Sequence, residues 1–148
     1  VSTDVQTAAD SRIRAAGQRY TQQRRALVDL LSAAGSPLAI PEILERAEGL
    51  KQSSVYRNLA TLERAGVVQR VVTDDEWGRY ELTEELTGHH HHLVCANCGR
   101  VRDVQVPAAL EKTVDRALDR LARGAGFASV SHRLDLIGVC SECADVRD

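Results

Sequence analysis

Aromatic residues are scarce in this chain, with one Trp, one Phe and three Tyr among 148 residues. An interior filled mainly by Ala, Leu and Val makes helices readily but offers little core volume per domain. Metal cross-links and a partner subunit would both add stability to such a chain. Long apolar runs are missing as well. No stretch approaches the ~20 residues of a membrane-spanning helix. The polar, acidic N-terminus lacks the layout of a secretory signal, so the expected location is cytoplasmic. An excess of positive charge is also absent. The formal net charge of −2 argues weakly against a nucleic-acid partner until it is divided along the chain. Histidine is absent before residue 89, which leaves the front of the chain without an imidazole ligand.

The charge divides unevenly. From Ser11 to Arg70 there are ten Arg or Lys against five Asp or Glu, a net of +5. From Glu81 to Asp148 there are eight basic against eleven acidic residues, a net of −3. The front half therefore carries a basic local field. Such a stretch is often only a solvated helix face, and it gains meaning from a fold that presents it.

The densest chemistry lies in His89-His90-His91-His92-Leu93-Val94-Cys95-Ala96-Asn97-Cys98. Four imidazoles run directly into a Cys-x-x-Cys pair, and Cys140-Ser141-Glu142-Cys143 supplies a second pair of the same spacing. Two thiolates from one tight turn can reach one ion, and Cys95, Cys98, Cys140 and Cys143 make a complete tetrahedral zinc set. Two disulfides are the alternative, but nothing here looks secreted. A four-thiolate zinc is saturated, so the histidines are free for other work. In an extended segment side chains alternate faces. His90 and His92 then point one way and His89 and His91 the other, which can feed two separate metal sites. A solvated polar loop or an expression tag are the plain alternatives.

Read in order, Val1 to Asp10 looks like a frayed tail and Ser11 to Gly17 like a short helix. Thr21 is placed to cap a helix in which Ala26, Leu27, Leu30 and Leu31 recur at helical spacing, ended by Gly35-Ser36-Pro37. A second helix is expected from Ala39, with Pro41 in its first turn and Ile40, Ile43, Leu44 and Ala47 facing inward. A third begins at Ser53 or Ser54 as cap and runs through Val55, Leu59 and Leu62 to Gly66. The β-favouring run Val67 to Val72, a turn at Thr73-Asp74-Asp75-Glu76 and a return over Trp77 to Leu82 predict a hairpin. Helices followed by a hairpin make a winged helix-turn-helix. Its recognition helix would expose Gln52, Ser53, Ser54, Tyr56, Arg57 and Asn58. Tyr56 and Arg57 suit phosphates, while Gln52, Ser54 and Asn58 suit base edges.

The polar Thr83 to Gly88 segment reads as a hinge, which divides the chain into residues 1–82, a hinge at 83–88 and residues 89–148. Beyond it, strands are expected over His92 to Cys95 and Arg100 to Val106. A helix follows Pro107, with Leu110, Val114, Ala117, Leu118 and Leu121 on its apolar face. A last strand runs from Val130 to Val139, carries His132 and delivers Cys140. The fold class is therefore α+β, a winged helix followed by a small α/β domain. One sheet edge stays open, and pairing it with a second copy predicts a homodimer.

These motifs together resemble the ferric uptake regulator superfamily of bacterial metal- and peroxide-responsive repressors, and the resemblance covers the chain from about Arg19 onward. Arg19-Tyr20-Thr21-Gln22-Gln23-Arg24 is similar to the family's opening motif. Ser54-Val55-Tyr56-Arg57-Asn58-Leu59 is similar to its recognition-helix motif, and the His-rich segment with two CxxC pairs to its dimerisation domain. The resemblance implies a dimeric repressor on double-stranded operator DNA, no enzymatic activity and no membrane association. Arg19 and Tyr20 join the DNA-contacting set. It further implies a structural Zn2+ on the four cysteines and a regulatory divalent metal (Zn2+, with Fe2+ or Mn2+ as alternatives) on Glu81, His90, His92 and Asp103. A third site would use His89, His91, Glu111 and His132.

The sequence departs from the family in one respect. Many iron- and peroxide-sensing members take a ligand from a His before the second helix, where this chain has Ser36-Pro37-Leu38. Gln69 and Thr83 lie near the positions of the Asp or Cys used by zinc-sensing members, and are poor ligands. The regulatory site then keeps three protein ligands plus water, or has Glu81 as its only tie to the DNA-binding half. Two other readings follow: a regulator that binds DNA independently of metal, with zinc only structural, and a zinc-stabilised structural or adaptor protein. A zinc hydrolase would need pocket-forming loops and a nucleophile arrangement that the sequence does not offer.

Overall fold

Periodicity in the first residues of the chain is what the sequence reading undervalued. In the computed structural model, which describes residues 3–73, 78–128 and 130–145, the first helix α1 spans Thr3–Ala15. The expected frayed tail is thus mostly helix. Ala9 and Ile13, one turn apart, are fully buried and Val5 packs beside them, so the segment is ordered by burial against the next helix.

That helix, α2, spans Gln22–Ala34 with Thr21 as N-cap, its side chain accepting the Arg24 N–H, and with Gly35 left-handed at its end. Its inner face is Leu27, Val28 and Leu31, while Ala26 is exposed; the stripe is rotated from the expected one because Val28 faces the core. A short strand β1 (Leu38–Ala39), not expected from sequence, leads into α3 (Ile40–Arg46). The Glu42 carboxylate accepts the Ala39 N–H at 2.8 Å, and Pro41 sits in the first turn where its missing N–H costs nothing. Helix α4 spans Gln52–Arg64. It starts before Ser53 and Ser54, and Lys51 at the cap makes no side-chain bond, so the expected serine cap is not formed. Val55, Leu59 and Leu62 are buried as expected, and Gly66 takes a positive φ of 68° at the stop.

The wing follows as β2 (Val68–Val71) and β3 (Arg79–Leu82). The sheet order is β1-β3-β2, with Val68 opposite Leu82 and Gln69 opposite Glu81. Asp74, Asp75 and Glu76 of the expected turn, and Trp77 after it, lie outside the described residues. The segment expected as a plain hinge contains one helical turn, α5 (Glu84–Thr87).

In the C-terminal half, β4 (His91–Cys95) is central, antiparallel to β5 (Val101–Val104). Helix α6 spans Ala108–Gly124 and β6 Asp135–Gly138, which pairs parallel with β4. A final turn of helix, α7, spans Ser141–Ala144. The last strand is shorter than expected, since residues 130–134 carry no strand. No residue of α6, β6 or α7 is buried within one protomer. Leu121 is 70% and Ile137 66% exposed, while Val114, Ala117 and Leu118 are half-buried, so the amphipathic face predicted for α6 is formed but only partly covered. No helix among the described residues is long and apolar enough to cross a membrane.

Candidate metal centres and nucleic-acid interface

Period-two alternation through the histidine run feeds two clusters on opposite sides of β4. On one side, Glu81 Oε2 lies 3.1 Å from both His90 Nε2 and His92 Nε2. Asp103 Oδ1 sits 4.0 and 3.9 Å from the same two nitrogens. Sheet register explains the arrangement: Asp103 on β5 and Asp135 on β6 both pair with His92 on β4. The far ring nitrogens are occupied. His90 Nδ1 donates to the Gly88 carbonyl at 3.1 Å, and His92 Nδ1 faces Asp135 at 3.3 Å. Glu81 Oε1 accepts the Gln69 amide at 2.7 Å across the hairpin.

Burial pushes the Glu81 carboxyl up, but hydrogen bonds from His92 and Gln69 outweigh it and hold it below its ordinary value. His92 is raised above 6.5 by its bond to Glu81 against burial, and His90 is raised because Gly88 and Glu81 outweigh burial. Burial holds the Asp103 carboxyl above its ordinary value. A tetrahedral N/O site with bonds of ~2.0–2.2 Å separates its donors by ~3.3–3.6 Å. The four groups fit such a cation, with two Nε2 and two carboxylate oxygens converging within 4.8 Å. Beside them opens a cleft of about 590 Å³, lined by Ser32, Gly35, Ser36, His90 and Asp103. No imidazole enters it from the N-terminal half.

The second cluster centres on Glu111. Its Oε1 lies 3.1 Å from His89 Nε2 and 2.8 Å from His132 Nε2, and its Oε2 lies 3.0 Å from His91 Nε2. His132 Nε2 is buried and close to Glu111 but not aligned for a hydrogen bond, and His91 Nδ1 has no hydrogen-bond partner among the described residues. His89 and His91 hydrogen-bond Glu111 while His132 only abuts it, and four donor atoms within 4.8 Å of one another suit a shared cation. His89 is raised by the Glu84 carboxylate at its Nδ1, 3.0 Å away, and Glu111 is lowered first by His91. Asp115 sits 3.2 Å from His132 Nδ1.

The third group is Cys95, Cys98, Cys140 and Cys143, whose sulfurs all lie within 4.8 Å. Cys98 and Cys140 Sγ are 3.8 Å apart. That is close to the ~3.8 Å edge of a tetrahedron with ~2.3 Å Zn–S bonds, and far from the ~2.05 Å of a disulfide. The Cys140 backbone N–H donates to Cys95 Sγ at 3.4 Å. This and the Cys98 N–H bring the Cys95 thiol down to about 6. Cys143 is pushed up to about 12 by the sulfurs of Cys140 and Cys98 around it. Four thiols this close cannot all ionise without a cation, and they fit one. Arg100 clamps Glu142 with two hydrogen bonds, joining the two CxxC loops.

In the N-terminal half, α4 exposes Gln52, Ser53, Tyr56 and Arg57, and Ser54 is half-buried. Asn58 does not belong to this surface. It is 7% exposed, accepts from Arg24 Nε and donates to Gln23, both at 3.1 Å, so it ties α4 to α2. Tyr20 is likewise a core residue rather than a contact surface. Its hydroxyl donates to Gln6, the Arg25 guanidinium covers its ring, and burial pushes it up to about 12. Arg19 beside it is exposed. Sequence reasoning missed Glu84, Asp115 and Asp135 and treated Gln69 only as a poor ligand. Gln69 alone had a signal, since hairpin register sets it opposite Glu81.

Residues 15–137 match the model of the ferric uptake regulator family. The chain is 30% identical over 132 residues to the peroxide operon regulator of Bacillus subtilis, covering 86% of each. It is 29% identical to the peroxide-responsive repressor PerR of Staphylococcus aureus, covering 90% of this chain and 87% of that one. Among solved structures, a zinc-bound manganese uptake regulator superposes with a TM-score of 0.67 at 30% identity, covering 93% of this chain and 99% of that one. The Helicobacter pylori ferric uptake regulator shares the fold, with a TM-score of 0.74 at 23% identity over 97% of this chain and 94% of that one. The chain belongs to the ferric uptake regulator family, whose members are DNA-binding transcription factors rather than enzymes.

Proposed function

We propose that this protein is a homodimeric, metal-responsive repressor whose DNA binding is set by a divalent cation, Zn2+ before Fe2+ or Mn2+, at Glu81, His90, His92 and Asp103. The observation that carries it is the Glu81 carboxylate. It stands on the last strand of the wing yet lies 3.1 Å from two imidazoles of the other half. A cation there would join the two halves through bonds stronger than the hydrogen bonds now between them. Gln69 holds one Glu81 oxygen, so the other faces the imidazoles. Gly88 and Asp135 hold the Nδ1 atoms, so the Nε2 atoms face Glu81.

Each protomer brings one α4, and fixing the halves fixes the spacing and tilt of two such helices against successive grooves. The effect is selection of one arrangement, limited by how much better the cation binds it. The four cysteines supply a static zinc that joins β4 to the chain's end. The uncovered faces of α6 and β6 supply the dimer contact. Gln52, Ser53, Ser54, Tyr56, Arg57 and Arg19 form the DNA-facing surface, with Tyr20 and Asn58 supporting it from behind.

Selection of bound duplexes from a random-sequence DNA pool, with zinc and with a mild chelator, tests this reading. The expected result is a two-fold symmetric motif bound at least about tenfold more tightly with zinc, or ~1.4 kcal/mol. Most of the zinc effect is lost in the His90→Ala, His92→Ala variant. Equal affinity with zinc and chelator would instead make this a metal-independent regulator. No enriched motif would leave an adaptor protein.

A further inference from the structure

Gly88, with φ of 87°, separates α5 from the histidine run. On its N-terminal side the chain is anchored to the winged helix. The Thr83 N–H donates to the Val67 carbonyl at 3.1 Å and its hydroxyl to the Gly66 carbonyl at 3.0 Å. Leu86 of α5 packs on the N-terminal core. Helix α5 is therefore attached to the DNA-facing half, and β4 to the other. The Glu81 cluster spans this boundary directly. The Glu111 cluster takes all four of its donors from beyond Gly88, and on those donors alone it is internal to the C-terminal half.

One contact changes that. Three rings in the two clusters turn Nδ1 toward a carboxylate: His92 toward Asp135, His132 toward Asp115 and His89 toward Glu84. The two aspartates belong to the C-terminal half. Glu84 belongs to α5, on the other side of Gly88. A ligating imidazole whose second N–H is held by a carboxylate is fixed in tautomer and orientation. His89 has this form, with Glu84 Oε2 3.0 Å from Nδ1 and Glu111 Oε1 3.1 Å from Nε2.

We propose that Glu84 is a positioning residue that makes the His89, His91, Glu111 and His132 cluster a second latch between the halves. The inference rests on that cluster holding a divalent cation. Side chains of Glu84 and His89 are each about one-third exposed, 35% and 36%, so their contact alone is screened and weak. A cation on Nε2 removes the freedom of the ring, and the Nδ1–H bond to Glu84 then forms at less entropic cost. Fixing the ring fixes α5 against β4. By linkage, whatever holds α5 in place also tightens this cluster. The two clusters thus act across one pivot, the first through a ligand and the second through a ligand's partner.

The test uses the full-length dimer carrying His90→Ala and His92→Ala, with zinc affinity from chelator competition and amide hydrogen exchange over residues 83–88. One zinc beyond the cysteine-bound ion is expected to bind and to slow exchange at 84–88 at least about tenfold. Adding Glu84→Ala is expected to weaken that zinc roughly tenfold, in the range for outer-shell partners. It should also abolish the slowing at 84–88 while leaving the zinc-dependent slowing within α6. Glu84→Gln, whose amide oxygen still accepts from Nδ1, is expected to retain most of the slowing. Wild type compared with Glu84→Ala, both saturated with zinc, repeats the test with His90 and His92 intact. Zinc binding that slows 84–88 equally in Glu84→Ala would overturn the latch and leave the cluster a metal site. Absence of that zinc in the double variant would overturn both.

Discussion

From Ala9 to Leu82 the chain closes an apolar core around Ile13, Leu27, Val28, Ile43, Val55, Leu59 and Leu62, all at most 1% exposed. Beyond Gly88 the buried apolar side chains, among the described residues, are Cys95 and Val101, and the buried polar side chains are those of His91 and His92. One half is held by hydrophobic burial within its own chain. The other is built around ligand groups and presents its apolar side chains outward. A four-helix unit with a small sheet can bury itself. In the reading proposed above, a three-stranded sheet whose single long helix buries no residue would reach the same end through metal and a second copy.

The contrast is tested most strongly by the cysteines. Cys98→Ser, or chelation that strips tight zinc, is expected to remove hydrogen-exchange protection across β4, β5 and β6 while the helices of the N-terminal half stay protected. Structural zinc sites carry ~10 kcal/mol or more of apparent binding energy. Uniform protection after zinc removal would sink the idea that this half depends on it.

Next in size is the pair Leu62→Ala and Ile137→Asp. Leu62 is fully buried, so truncation should cost ~2–5 kcal/mol in urea unfolding, independent of protein concentration. Ile137→Asp should leave each protomer folded and weaken the dimer at least about tenfold, ~1.4 kcal/mol, read by sedimentation. If the two substitutions exchanged signatures, the division of labour between the halves would be wrong.

The smallest effect is with pH. Protons and metal compete for the same Nε2 atoms, and neighbouring carboxylates at His89 and His92, with the Gly88 carbonyl and then Glu81 at His90, hold these rings above 6.5. Competition therefore starts above that value and grows as pH falls. Affinity for the zincs not bound by cysteine should drop at least about tenfold between pH 8 and pH 6, whereas the thiolate-bound ion should be retained over the same interval. Equal affinities at the two values would contradict the assignment of imidazole ligands.

Much of the fold could be read from residues close in sequence. Thr21 as a cap, the Leu27/Leu31 stripe, Pro41 in a first turn and Gly66 as a stop are local physics, and they stand. Val5, Ala9 and Ile13 carried the same signal in a polar setting and were passed over. Strand β1 has only two residues and owes its existence to β3, so nothing local announced it. Ser53 and Ser54 looked like caps because serine favours that position, but packing of Val55 against the core set the helix start earlier. Asn58 and Tyr20 looked like contact residues because they lie within motifs. The face each one took was decided by the neighbouring helix.

Short-range spacing is enough to set the two CxxC turns and the division of the histidines into pairs. Spacing within a turn and alternation along a strand are properties of the backbone over a few residues. What those groups meet depends on how distant elements pack. Pairing of β4 with β5 and β6 set Asp103 and Asp135 on either side of His92, hairpin register placed Gln69 against Glu81, and anchoring of α5 brought Glu84 to His89. These contacts join residues through sheet register and helix docking, which depend on burial summed over the whole molecule rather than on any short stretch of it.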